Sequence, residues 1–234
     1  MDKIKILPTI TTITATAGAD WRAKIEEVNE LGLKEIFVFP TSLNKKDRIE
    51  LYHMLDHSKV ESIPFVHLKN DMELEEVEYF VKKYSTKVFN IHMQIENPLE
   101  HDLSKYKNII YIENVYHILD EEELKNFAGI CLDVSHLEND RLLNPEIYQR
   151  NVEIIKKYPI GCNHISALKK DIHNDEKEIV RYDSHYLQDL SELDYLKRYP
   201  RHYFSSFIAI ELENSIKEQL KIKTYLEKLI SNLV

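Results

Sequence analysis

The sequence predicts an α/β protein, a single compact (β/α)8 barrel spanning residues 1–234. Three observations carry that prediction. Eight short apolar runs of strand length recur along the chain, separated by helical stretches with apolar residues three and four apart. Eight alternating β and α units imply a parallel sheet and are enough to close it on itself. No strand is followed by a Gly-x-Gly-x-x-Gly or Walker-type loop, and the competing doubly wound sheet would typically carry fewer strands.

In order, the strands read IKILPTI (4–10), EIFVFPT (35–41), SIPFVHL (62–68), KVFNIHM (87–93), NIIYIEN (108–114), GICLDVS (129–135), IGCNHIS (160–166) and FIAIELE (207–213). The first helix, DWRAKIEEVNELG, opens on Asp20 as N-cap and closes on Gly32 as C-cap. A later one, NPEIYQRNVEIIKKYP, has Asn144 and Pro145 to start it and Pro159 to stop it. An amphipathic helix beginning near Asn214 ends the chain.

Composition narrows the function classes. With 43% hydrophobic and 30% charged residues, the chain reads as an ordinary globular protein. No apolar run reaches membrane-spanning length, and MDKIKILPTI lacks the core and cleavage site of a signal peptide, so a cytoplasmic location is expected. Cys131 and Cys162, the only cysteines, both lie in apolar runs and are expected to be unpaired. A net charge of −9 argues against a broad electropositive nucleic-acid surface. No motif points to a protein partner.

Strand parity locates the chemistry. Alternate residues of a strand face opposite sides. If Val66, Ile91, Ile112, Leu132 and Ile210 face the helices, then His67, His92, Glu113, Asp133 and Glu211 face the barrel axis. His164 shares that parity, although its neighbour Asn163 is polar. Two residues earlier, Phe65, Asn90, Tyr111, Cys131, Cys162 and Ala209 would fill the barrel. Strands three to eight thus each aim one ionisable group inward near the C-terminal end, where barrels build their sites.

Imidazoles and carboxylates in such a place cannot pack as a dry core, but they suit divalent metals. His136 follows Asp133 by three residues, and RYDSHYL offers Asp183 and His185. Nine ligands suffice for up to three ions, and nitrogen and oxygen donors without thiolate suit zinc, manganese or iron. The other six histidines, His53, His57, His101, His117, His173 and His202, read as surface or packing residues. The segment 165–188 reads as a loop forming a lid, with Lys169, Lys170 and Arg181 as candidates for an anionic substrate group. Lys45, Lys46 and Arg48 open a helix and read as a solvated face, with phosphate contact as the lesser reading.

This ordered set resembles the endonuclease IV branch of the xylose isomerase-like TIM barrels: His, His, Glu, Asp-x-x-His, His, Asp-x-His, Glu at successive strand ends. It is carried by FVHLK, NIHMQ, YIENV, CLDVSHL, CNHIS, YDSHYL and AIELEN, across residues 62–214. The resemblance implies that His67, His92 and Glu113 hold one metal. Glu113, Asp133, His164 and Glu211 would hold a second, bridged by Glu113, and His136, Asp183 and His185 a third. It further implies hydrolysis of a phosphodiester or phosphate ester, with Glu113 and Glu211 as the catalytic carboxylates and Glu211 orienting the attacking water.

Departures from the family bear on substrate. The DNA repair enzymes penetrate the duplex with side chains from the loops after strands two and three. Here those loops read TSLNKKDR and LKNDMELEE, without an aromatic wedge, and the chain is short for the family. The expected substrate is therefore a small phosphorylated compound or a sugar, with damaged DNA as a further candidate. A second branch of the superfamily, the sugar isomerases and epimerases, uses one metal held by Glu, Asp, His and Glu. Glu113, Asp133, His164 and Glu211 match it, His136 would bind substrate, and Lys170 stands where that branch commonly has Arg. A non-enzymatic metal-binding scaffold is the third reading.

Overall fold

The structure, a computed structural model, describes residues 4–13, 15–16, 19–95, 97–175 and 178–233. Eight parallel strands close into a barrel: β1 (Lys5–Thr11), β2 (Phe37–Phe39), β3 (Phe65–His67), β4 (Val88–His92), β5 (Ile110–Glu113), β6 (Ile130–Asp133), β7 (Ile160–Ile165) and β10 (Phe207–Ile210). Each pairs with the next, and β10 returns to β1. Two further strands, β8 (Ala167–Asn174) and β9 (Val180–Ser184), form a separate antiparallel ribbon. The fold is therefore the expected (β/α)8 barrel.

Helix ends follow local chemistry. In α1 (Trp21–Leu31) the Asp20 carboxylate accepts from Arg22 N, and Gly32 closes the helix at φ 66°, a left-handed conformation that glycine adopts at no steric cost. Its buried residues, Trp21, Lys24, Ile25 and Val28, recur at the spacing of one helical face. The helices α2 (Lys45–Asp56) and α3 (Leu74–Tyr84) cover β2 to β4, and α5 (Val134–Leu143) and α6 (Pro145–Ile155) share Asn144 as the residue between them. The last helix, α7 (Ile216–Ser231), starts at a Ser215–Glu218 capping box. Its buried Gln219 bonds the main chain of Thr9 in both directions (2.7 and 3.1 Å), tying the end of the chain to its first strand.

Not every crossover is a full α-helix. A 3-10 helix (Ser104–Ile109) precedes β5, and α4 (Glu121–Leu124) is a single turn. The segment read as a lid loop is instead the β8–β9 ribbon, with Leu168 opposite Asp183 and His173 opposite Arg181. Residues 176 and 177 of that segment lie outside the described residues. The expected solvated face at the start of α2 holds for the exposed Lys45 and Lys46 but needs correction at Arg48. Arg48 is fully buried, paired through two nitrogens with Glu76 (2.8 and 3.0 Å) and with Asp71 (2.9 Å), while Lys45 pairs with Glu73. A guanidinium so engaged holds α2 to α3 and leaves nothing for a phosphate.

The apolar core lies in two places. The larger part fills the space between strands and helices. The smaller part fills the barrel with Leu7, Phe37, Phe39, Phe65, Val88, Cys131, Cys162 and Ala209, edged by Tyr111 and Phe207. Both cysteines are free thiols. Gly129 enters β6 at φ 137°, and a Cβ there would meet the Pro159 carbonyl, so only glycine lets these two chains approach. Asn163, the polar residue on the outward side of β7, donates to Leu132 O and Tyr203 O and accepts from Ser205 N, which satisfies its buried amide. Among the described residues no helix is long and apolar enough to cross a membrane.

Candidate metal centre

Register brings the inward polar residues side by side at the strand ends. His92 pairs with Glu113 and Asp133 with His164 across adjacent strands, and Glu211 stays on the ladder through its N–H to Ile165 O. Among the described residues, three groups have ligand atoms within 4.8 Å of one another: His67, His92 and Glu113; Glu113, Asp133, His164 and Glu211; and Glu113, Cys131 and His164. Burial pushes the Cys131 thiol well above its usual range, and its sulfur packs in the apolar barrel layer.

Glu113 sits at the centre. Its Oε2 lies 2.9 Å from His67 Nε2 and 3.9 Å from His92 Nε2, and accepts from Asn90 Nδ2 at 2.7 Å. Its Oε1 lies 3.3 Å from His164 Nδ1 and 3.7 Å from His136 Nδ1. Burial opposes its ionisation, but the His164 and His67 imidazoles hold the carboxyl well below the usual range. His67 Nδ1 lies 2.9 Å from the Leu68 carbonyl, which orients the ring with Nε2 toward Glu113. Burial takes His92 down to about 4, which favours its neutral ring.

Asp133 serves fold and site together. It ends β6 and is the N-cap of α5: Oδ1 accepts from His136 N at 2.8 Å and from the Ser135 hydroxyl. This explains the Asp-x-x-His spacing, since N-cap and third helical residue share one turn. Its main chain is held in both directions by the Asn114 amide (2.8 and 2.9 Å).

Four buried atoms at this place have no hydrogen-bond partner among the described residues: Asp133 Oδ2, both ring nitrogens of His164, and Glu211 Oε2. Glu211 Oε2 is 3.1 Å from His164 Nδ1, but not in hydrogen-bonding geometry. Leaving such groups unpaired in a dry interior costs several kcal/mol, on the order of 1–3 each. A divalent cation satisfies oxygen and imidazole donors together, so the donor set fits a metal.

The remaining sequence candidates are placed less uniformly. His136 Nε2 lies 3.3 Å from Asp183 Oδ2, and both residues are buried. His185 is half-buried with Nδ1 3.3 Å from Glu211 O, and it joins no group with them at the 4.8 Å reach. Burial opposes charging of His136, but Asp133, Asp183 and Glu113 raise it to about 9. Lys169 is paired with Glu192 at 2.8 Å, Lys170 is exposed on the ribbon, and neither lines the cavity. Arg181 does line it.

Of these groups His67, His92, Glu113, His136, Arg181, Asp183, His185 and Glu211 line one cavity of about 940 Å3, walled on one side by the ribbon, whereas Asp133 and His164 are fully buried and do not line it. Several of its residues carry no sequence signal. Tyr116, at φ 49°, places its ring 5.2 Å from that of His136. Lys69 reaches Leu43 O at 3.1 Å, and Glu213 accepts from Ala15 N and Thr16 N. His117 and His173, read as surface or packing residues, also line the cavity.

Comparison with known proteins adds names but no closer kinship. No protein-family model matches the chain, and no curated protein matches it in sequence. Among solved structures, it is similar to a xylose isomerase domain protein from Planctomyces limnophilus, at 11% identity and a TM-score of 0.45, covering 98% of this chain and 97% of that one. It is similar to an aldo-keto reductase from Bacillus halodurans at 13% identity and the same TM-score, covering 98% and 96%.

Proposed function

We propose that this protein is a divalent-metal-dependent hydrolase of phosphate esters or phosphodiesters with more than one ion in its centre. The observation that carries this reading is the division of Glu113: one oxygen faces His67 and His92, the other faces His164 beside Asp133 and Glu211. A carboxylate shared between two ligand groups is what a bridging ligand requires. His67, His92 and Glu113 would hold one ion, and Glu113, Asp133, His164 and Glu211 a second. Bound ions supply charge stabilisation at phosphoryl oxygens and make water a better nucleophile.

The chain's own part is to position and to move a proton. Glu211, which lines the cavity and whose Oε2 has no hydrogen-bond partner among the described residues, would orient the attacking water and take its proton. The ribbon and Tyr116 line the cavity. A cavity of about 940 Å3 is of the size that holds a small phosphorylated compound, and the acidic chain favours that over duplex DNA.

One observation favours a second reading. Glu113, Asp133, His164 and Glu211 are complete as a four-ligand set without the two histidines. With a single ion, Glu113 and Glu211 would move the proton beside a sugar carbonyl, as an isomerase or epimerase requires. Metal content decides between them. Two or more ions per chain with turnover of a nitrophenyl phosphodiester or abasic-site DNA supports the hydrolase. One ion with ketose–aldose conversion establishes the isomerase, and no ion after supplementation overturns both.

A further inference from the structure

Opposite the Glu113 cluster, a second pair of metal-type donors already has a cation. His136 Nε2 and Asp183 Oδ2 are 3.3 Å apart, buried, and face the same cavity. The Arg181 guanidinium stands against both. Its Nη2 lies 2.7 Å from Asp183 Oδ2 and 3.4 Å from His136 Nε2, and its Nε is 3.2 Å from Asp183 Oδ1. Nη1 reaches Asp175 at 3.2 Å, and the guanidinium lies 4.9 Å from the centre of the Tyr116 ring.

An ion held by His136 and Asp183 together would have to displace Nη2, which is within reach of both donor atoms. Displacement is costly, because a guanidinium cannot shed its proton and this one is only 8% exposed. Breaking a buried pair leaves an uncompensated charge. His185, the donor needed to complete a three-ligand set, is turned with Nδ1 toward the Glu211 carbonyl.

We propose that Arg181 is a resident cation that excludes a metal ion from the His136–Asp183 pair, so that the centre is limited to the ions gathered around Glu113. This rests on the multinuclear reading above. Arg181 is thereby a positioning residue: three of its N–H groups donate to Asp183 and Asp175, with Nη2 also 3.4 Å from His136 Nε2, which fixes the ribbon over the site rather than gripping substrate.

The test is to load wild type, Arg181→Ala and Arg181→Lys with zinc, remove excess, and count ions per chain by elemental analysis. Arg181→Ala is expected to hold one ion more than wild type, and Arg181→Lys, which keeps a cation there, the same number as wild type. Equal counts in wild type and Arg181→Ala would overturn the assignment. Should Arg181→Ala not fold, anomalous scattering from zinc-soaked wild-type crystals serves: no peak between His136 and Asp183 supports it, and a peak there overturns it. Wild type without any zinc refutes the multinuclear reading itself and removes the basis of the assignment, a result distinct from equal non-zero counts.

Discussion

Two layers of the barrel interior lie one pleat apart on the same strands and have opposite chemistry. The lower holds Phe65, Tyr111, Cys131, Cys162 and Ala209. The upper holds, on those same strands, His67, Glu113, Asp133, His164 and Glu211. Each upper residue follows its lower partner by two positions, so both share a face. The lower layer is closed by apolar contact except on β4, where Asn90 keeps its amide oxygen without a partner. The upper layer leaves four buried polar atoms without one. What this teaches is that one sheet register places both: the packing below holds in position groups that would repel or desolvate each other if they had to assemble alone.

That contrast can be broken from either side. Glu113→Gln keeps the shape of the upper layer and removes the shared charge; zinc content and phosphoesterase turnover should both collapse, beyond the ~10–100-fold loss typical of changes to outer partners. Retained turnover would show that the layer is structural. Phe65→Ala in the lower layer should cost about 3–5 kcal/mol of stability, read by denaturant unfolding, as for other buried aromatic truncations. The protein that remains folded should still bind zinc. If it does not, the two layers are not separable.

Smaller effects sharpen the boundary. Asn114→Ala frees the main chain of Asp133 without touching a ligand, and zinc affinity should fall about 10–100-fold by titration calorimetry. Asp140 tests burial outside the centre. Burial, with one carboxylate oxygen unpartnered, raises it to about 6. A folded pKa above the unfolded value near 3.9 means that its contribution is fully present at low pH and lost as pH rises through about 6. Asp140→Asn should therefore raise the melting temperature at pH 7.5 and leave it little changed at pH 4; an equal shift at both would sink the explanation.

The barrel was legible because its strands are buried on both faces and read as near-continuous apolar runs. The inward row, His67 to Glu211, follows from a period of two counted along those runs, and the caps Asp20 and Gly32 from residue type alone. The ribbon was not legible. LKKDIH is too polar to show strand alternation, and only pairing with β9 organises it. Nor could sequence tell Arg48 from its neighbours Lys45 and Lys46, since its partners Asp71 and Glu76 come from the next β-α unit. Arg181 was visible as a cation near Asp183, but its contact with His136 spans 45 residues and exists only once β9 lies over α5.

The double duty of Asp133 has a practical consequence. One of its oxygens holds the His136 amide at 2.8 Å, while the other is buried beside the Glu113 cluster with no hydrogen-bond partner among the described residues. Whatever draws that free oxygen must tug on the first turn of α5. The His136 backbone resonance is thus a built-in indicator dye: its chemical shift and exchange rate should register occupancy of the Glu113, Asp133, His164 and Glu211 group without any label, substrate or turnover.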